Sequence, residues 1–233
     1  MLEPKVCVVI PAYNEGRAIG RVLVAATTFD LDILVVDDGS TDDTAAVASQ
    51  FDVHLIVHKT NQGKGAAIRT AIAWVLEHGY EAALFMDADG QHAAEEIPRF
   101  AQCYAATRAD LILGTRMHAN QQMPLVRKVS NRFSSLLVSG LAGTRVTDSQ
   151  SGFRMLSAQL LEQLQKMGGD GFDFESEMII DAVWNGLRFC EVPISCIYAD
   201  ETSHYNPVKD SLQFFALVAR KSLQKLRRRQ GRS

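Results

Sequence analysis

Two carboxylates one residue apart, Asp87 and Asp89 in Asp87-Ala88-Asp89, close the apolar run at residues 82–86. In extended backbone the side-chain period is two, so a strand ending in Asp-x-Asp points both carboxylates the same way. Like charges held that close repel unless a cation lies between them, and Mg²⁺ or Mn²⁺ takes such oxygen ligands. The pair alone also fits an ordinary turn. Three more apolar runs are followed by segments with a chemical use: Pro11-Ala12-Tyr13-Asn14-Glu15, Asp37-Asp38-Gly39-Ser40 and Asn61-Gln62-Gly63-Lys64-Gly65. Turn chemistry explains any one of these segments. Four of them on one rim of a sheet would make a nucleotide site.

The pattern around these segments predicts that rim. Short strands are expected at 6–10, 33–36, 53–57, 82–86 and 111–113, with helices between them. Ile19, Val22, Leu23 and Ala26 follow a helical period. A helix over 41–50 has Ser40 as its cap and Asp43 at the capping-box position. Another, over 64–78, puts Ile68, Ile72 and Val75 on one face and stops at Gly79. A fourth covers 95–106. Strands alternating with helices argue an α/β fold, a Rossmann-like, mostly parallel sheet with helices on both faces. Ligands of such sheets gather at the carboxyl ends of the strands. The second half is less regular, with helices expected at 133–141 and 175–184 and strands at 152–156 and 191–197. No internal repeat or low-complexity linker divides the chain, so one domain over 1–210 is expected, followed by a helix and tail over 211–233.

The 233 residues, 47% hydrophobic, suffice for a full core. No apolar stretch approaches the roughly 18 residues that span a bilayer, and the N-terminus lacks a basic-then-apolar signal. Cys7, Cys103, Cys190 and Cys196 show no metal-ligand spacing, so reduced thiols in a cytoplasmic protein are expected. The net charge of −3 is unevenly spread. From Ser211 onward there are seven basic residues and no acidic one, which leaves 17 basic against 27 acidic residues elsewhere, a net of −10. A body this acidic is a poor nucleic-acid binder. In the tail, Leu212, Phe215, Ala219, Leu223 and Leu226 recur at helical spacing, with Phe214, Leu217 and Val218 widening the apolar surface. Such a helix either packs on the sheet or lies on an anionic membrane surface, where each basic residue contributes about 1 kcal/mol. The second reading makes the protein peripheral on the cytoplasmic face of a membrane.

Taken jointly, the segments resemble the inverting family 2 glycosyltransferases of the GT-A fold. The likeness rests on residues 8–15, 35–44, 61–65 and 86–92, with Gly114-Thr115-Arg116 and Asp148-Ser149-Gln150-Ser151-Gly152-Phe153-Arg154, and covers about residues 6 to 200. Within the family the chain is most similar to the polyprenyl-phosphate (dolichol-phosphate) mannosyl- and glucosyltransferases. The resemblance implies a UDP- or GDP-sugar donor, with Pro11, Tyr13 and Glu15 at its base and ribose and Asp37 and Asp38 beside them. It places Gly63, Lys64 and Gly65 at the nucleotide, where a helix N-terminus favours anions, together with Ala88. Asp87, Asp89 and Gln91 would hold the metal, with His92 next in the motif.

For the acceptor the resemblance implies a lipid phosphate, positioned by Arg116, Arg127 and Arg132, since guanidinium groups suit phosphate. Arg116 and Arg127 stand with Asp87 and Asp89 as the expected catalytic set. The better-known polyprenyl-phosphate enzymes follow the last strand with an Arg/Lys and Gly-Ser-Lys loop. Here that stretch, 198–207, lacks the lysine and leaves Ser203 and His204 for the phosphate contact. A saccharide or protein hydroxyl acceptor would instead need a carboxylate base. Asp173, Glu175 and Glu177 are the candidates, and Glu177 matches the family's position. Two other classes fit less well. An idle binding module has no reason to keep Asp87, Asp89 and Gln91 together, and a sugar nucleotidyltransferase would carry a Gly-rich loop where this chain has Pro11-Ala12-Tyr13-Asn14-Glu15.

Overall fold

A computed structural model describes residues 4–116, 125–167, 174–195 and 207–230. Its seven-stranded sheet has the order β3-β2-β1-β4-β6-β5-β7. The strands are β1 (Val6–Ala12), β2 (Asp32–Asp37), β3 (His54–Val57), β4 (Ala82–Phe85), β5 (Leu111–Thr115), β6 (Arg154–Ser157) and β7 (Phe189–Pro193). Pairing is parallel throughout except at β6, which runs antiparallel to both β4 and β5. The expected mostly parallel α/β sheet is therefore present.

Alternation along the central strands builds a core on each face. Val6, Val8 and Ile10 of β1 and Ala82 and Leu84 of β4 face one layer, formed by α1 (Ile19–Ala26), α2 (Thr44–Ala48) and α4 (Ile97–Thr107). Cys7, Val9, Ala83 and Phe85 face the other. That second layer contains α3 (Lys64–Glu77), α5 (Leu125–Ala142), α6 (Ala158–Met167) and α7 (Phe174–Trp184). Burying both faces explains why these strands read as unbroken apolar runs.

Several expectations change in detail. The helix expected over 41–50 shrinks to α2, because Ser40 does not cap it: its hydroxyl donates to Asp37 and accepts from the amide of Asn14. Asp43 stands at the N-cap position without a side-chain cap bond. The helix expected over 133–141 starts earlier, at Leu125, and α6 was not anticipated at all. Gly79, with φ +70°, ends α3 as expected. Cys7, Cys103 and Cys190 carry free thiols, and Cys196 lies outside the described residues.

The C-terminal helix α8 (Pro207–Gln230) is docked on the body. Lys221 is only 3% exposed and its ammonium meets Glu177 Oε1 at 2.9 Å and Asp181 Oδ1 and Oδ2 at 2.6 and 2.7 Å, both residues on α7. Lys225 donates to the carbonyls of Gly140 and Leu141 at the end of α5, where the helix dipole favours a cation. Arg228 stacks over the Trp184 ring at 4.7 Å. Part of the basic tail is therefore internal glue. Among the described residues no helix is long and apolar enough to cross a membrane.

Lys221→Ala would leave Glu177 and Asp181 facing each other without their shared cation. A loss of about 3 kcal/mol in urea unfolding is expected; an unchanged midpoint would show that the apolar contacts alone dock α8.

Candidate active site

Strand order decides where a ligand can sit. From β1 the chain proceeds to β2 and β3 on one side, then returns to place β4 on the other. The crevice beyond the carboxyl ends of β1 and β4 is such a switch point. Pro11 leaves β1 there and Asp87 leaves β4. Because β6 is antiparallel, its first residue, Arg154, pairs with Phe85 at the end of β4 and enters the same rim. A cleft there is lined by Pro11, Lys64, Phe85, Asp87, Arg154 and Glu175, among others.

The loops on the nucleotide side are braced against one another. Asn14, at φ 56°, accepts from the amide of Thr41 at 2.8 Å, the amide of Glu15 donates to Thr44 Oγ1, and that of Gly16 donates to Asp42. Tyr13 and Glu15 are half-buried in this brace. Asp37 is buried and accepts from the amide of Ser40. Asp38 differs from the donor contact expected of it. Both its oxygens are used: Oδ1 by His58 Nδ1 at 2.7 Å and the amide of Gln62, Oδ2 by the amide of Gly63. It sits beneath the loop and sets the start of α3. Gly39 cannot be replaced cheaply, since at φ +71° a Cβ would fall 2.4 Å from the backbone of Thr60.

The floor of the cleft is a chain of alternating charges. Lys64 Nζ lies 2.7 Å from Asp87 Oδ1 and 3.6 Å from Glu175 Oε1, and Arg154 Nη2 lies 3.0 Å from the same Glu175 oxygen. Burial pushes the Asp87 carboxyl up, but the Lys64 ammonium more than reverses this and holds it well below the usual carboxylate range. For Lys64, burial acts downward, and Asp87 with Glu175 outweighs it, so the ammonium stays charged. The Lys64 side chain keeps nearly half its exposure, which screens the pair. His92 is buried. Its Nδ1 accepts the backbone amide of Asp87 at 3.0 Å, its ring stacks on Phe153, and burial pulls it down to about 4. The ring is thus neutral near pH 7 and fixes the backbone at Asp87.

Strand alternation does not align the two motif carboxylates. The strand ends at Phe85, the chain turns at Ala88-Asp89, and Asp89 Oδ1 accepts the amide of Gln91 at 2.9 Å. Among the described residues no three His, Cys, Asp or Glu side chains cluster as a metal cage. Hard cations that bind diphosphates need only one or two carboxylates. Gly152 keeps space for one, since a Cβ there would fall 2.2 Å from Asp87 Oδ2. Asp87 and Asp89 fit an oxygen-seeking ion.

The residue range 7–165 matches the model of glycosyl transferase family 2. The chain belongs to that family. It is 32% identical to the UDP-N-acetylglucosamine–dolichyl-phosphate N-acetylglucosaminyltransferase of Methanococcus voltae, over 86% of this chain and 88% of that one. It is 33% identical to the undecaprenyl-phosphate mannosyltransferase of Micrococcus luteus, over 83% and 84%. In fold it is similar to glucosyl-3-phosphoglycerate synthase from Mycobacterium tuberculosis, solved with Mn²⁺, UDP-glucose and phosphoglyceric acid. The TM-score there is 0.73 at 21% identity, covering 94% of this chain and 79% of that one. The family 2 glycosyltransferase thus has the GT-A architecture that its motifs implied.

On the acceptor side the glycosyltransferase departs from expectation. Arg116 is committed elsewhere: its Nε and Nη2 grip the fully buried Asp148 at 2.7 and 2.9 Å, and Asn131 adds a third bond. The fork that would clasp a phosphate is spent on the Asp148 loop. Arg132 is exposed on α5. Arg127 falls in α5, but its side chain lies outside the described residues, as do Ser203, His204 and Asp173. Glu177, expected as the alternative base, is bound by Arg220 at 2.7 Å and by Lys221. The arginine in the cleft lining, beside Lys64, is Arg154, 4% exposed and bonded to the carbonyl of Ser151. A charged residue opening the apolar run Arg154-Met155-Leu156 was the available signal, but only the antiparallel pairing of β6 shows where it points.

Arg116→Met would leave Asp148 buried without its cation, and a stability loss of about 3–5 kcal/mol is expected in substrate-free denaturation. An unchanged midpoint with a raised acceptor KM would return Arg116 to the phosphate.

Proposed function

We propose that this glycosyltransferase moves a sugar, with inversion, from a nucleotide-diphospho-sugar to a polyprenyl phosphate, with Mg²⁺ or Mn²⁺ held by Asp87 and Asp89 and Gln91 nearby. The observation that carries the acceptor choice is the state of the carboxylates around the cleft. Of the candidate bases, Glu175 is paired with Arg154 and Lys64 and Glu177 with Lys221 and Arg220, while Asp173 lies outside the described residues. Both described candidates are held by cations. A hydroxyl acceptor needs a base to take its proton. A phosphate monoester is already anionic and needs no such base, and Arg154 brings a guanidinium into the cleft lining. The names of the two lipid-phosphate relatives support the same choice.

Pro11, Tyr13, Glu15 and Asp37 form the wall for the base and ribose, with Gly63, Lys64 and Gly65 presenting the α3 N-terminus to the diphosphate. What a bound divalent ion supplies at Asp87 and Asp89 is neutralisation of the charge that builds on the departing diphosphate. Lys64 must leave Asp87 for this, and the diphosphate is the anion it meets next. An acceptor phosphate oxygen then attacks the anomeric carbon from the face opposite the diphosphate. The new C–O bond forms as the old one breaks, the configuration inverts, and no proton has to be removed. A thermal-shift panel of UDP- and GDP-sugars with Mn²⁺ identifies the donor, since a ligand at 100 times its Kd adds about 2.7 kcal/mol.

Asp89→Ala and EDTA should each reduce transfer to undecaprenyl phosphate by about a thousandfold, the worth of several kcal/mol of charge stabilisation, with the fold unchanged. Glu177→Gln should leave kcat as it is. Full activity in EDTA would overturn the metal assignment. Loss of kcat in Glu177→Gln with both KM values unchanged would restore a general base and a hydroxyl acceptor.

A further inference from the structure

The surface of the second helical layer carries apolar side chains that are exposed among the described residues. On α5, Val129, Phe133 and Leu136 are 61%, 50% and 69% exposed, and on α8 Phe215, Leu223 and Leu226 are 53%, 60% and 56% exposed. Their spacing puts each trio on one stripe of its helix. On α8 this stripe is not the packing face, which consists of Phe214, Leu217, Val218, Lys221 and Lys225. The helix therefore has two apolar sides, one buried on the body and one bare.

Charge says what fits the bare side. Neither 125–142 nor 211–230 has an acidic residue, in a chain whose remainder is strongly acidic, and Arg220, Lys221, Lys225 and Arg228 are engaged with the body. Arg132 and Arg227 are exposed beside the two stripes. A second copy of the same face would bring like charges together. An anionic lipid surface offers both what the apolar stripes and what the basic residues need.

Position links this face to the cleft. α8 runs alongside α7 in the same direction: Arg220 meets Glu177, Lys221 meets Asp181, and Arg228 meets Trp184. The first turn of α7 supplies Glu175 to the cleft, so the Phe215 end of the α8 stripe lies on the cleft side. On α5, Asn131 and Ser134 bond Asp148 and Gln150, in the loop that leads to Gly152 and Arg154. The N-terminal part of that stripe, Val129 and Phe133, flanks these residues on α5.

We infer that the bare stripes of α5 and α8 form one docking face for an anionic lipid bilayer, which presents the cleft to an acceptor phosphate at the membrane surface. This rests on the lipid-phosphate reading of the acceptor. It also replaces the free basic tail of the sequence reading, since Lys221, Lys225 and Arg228 are engaged with the body. Removing residues 220–233 would take Lys221 with them, so point variants are the proper test.

The test is co-sedimentation of the full chain with vesicles of phosphatidylcholine and phosphatidylglycerol. The wild type should pellet with them, less so with phosphatidylcholine alone or in high salt. Phe133→Glu with Phe215→Glu should lower the bound-to-free ratio about tenfold or more, given the apolar area withdrawn. Both sites are exposed, so the thermal midpoint should hold. Transfer to a short-chain, water-soluble isoprenyl phosphate, measured without vesicles, should be equal in variant and wild type. Vesicle binding equal to wild type in the double variant would overturn the docking face, as would a wild-type dimer that the variant dissociates. Binding reads the face and solution transfer reads the acceptor, so the two ideas fail separately.

Discussion

Asp87, Lys64, Glu175 and Arg154 alternate in sign across the floor of the cleft, and four separate elements converge to make them meet. Asp87 follows β4, Lys64 opens α3, Glu175 lies in the first turn of α7, and Arg154 opens β6. At the Arg154–Glu175 end, which is largely buried, removing one member leaves a charge without its partner, which is far costlier than breaking a surface pair. The cluster is thus a joint between the two halves of the sheet as well as the site. A diphosphate and a divalent ion bring charges of both signs into a floor already balanced. On the proposed reaction, binding would exchange partners, with Lys64, whose side chain is nearly half exposed, the member that changes.

Around this joint the scaffold is rigid. Asp38 organises the Gly63 loop from below, His92 holds the Asp87 backbone, and Asn14, Thr41, Thr44 and Asp42 tie the first two loops together. None of these needs to touch a substrate. They keep four loop ends in register so that Lys64 can change partner without the rim moving. The basic C-terminal helix divides similarly. Lys221 and Lys225 face inward, against α7 and α5, while the exposed apolar residues and Arg227 remain outside.

The parallel half of the molecule was legible in the sequence because its signals are local. Apolar runs followed by Pro11, Asp37 and Asp87, with the Asn61 segment after β3, mark the strands and the rim, and Gly79 marks the end of α3. What could not be read is what depends on pairing across long separations. The turn at Ala88-Asp89 breaks the strand alternation assumed for the two carboxylates. Arg116, expected at the acceptor phosphate, pairs with Asp148 across 32 residues, and Glu177, the alternative base, pairs with Arg220 across 43. Arg154 went unassigned because only the antiparallel insertion of β6 turns it toward Asp87. In α5 the polar residues Asn131, Ser134 and Ser135 are buried, which breaks the helical apolar pattern that would have shown its full length.

The exchange of partners at Asp87 is the central claim, and anomalous diffraction at the manganese edge tests it most directly. Crystals soaked with Mn²⁺ and the nucleoside diphosphate selected by thermal shift should show one ion contacting Asp87 or Asp89 and the diphosphate, with Lys64 moved off Asp87 toward the phosphate oxygens. A bound nucleotide with the Lys64–Asp87 pair intact and the manganese signal elsewhere would contradict the account.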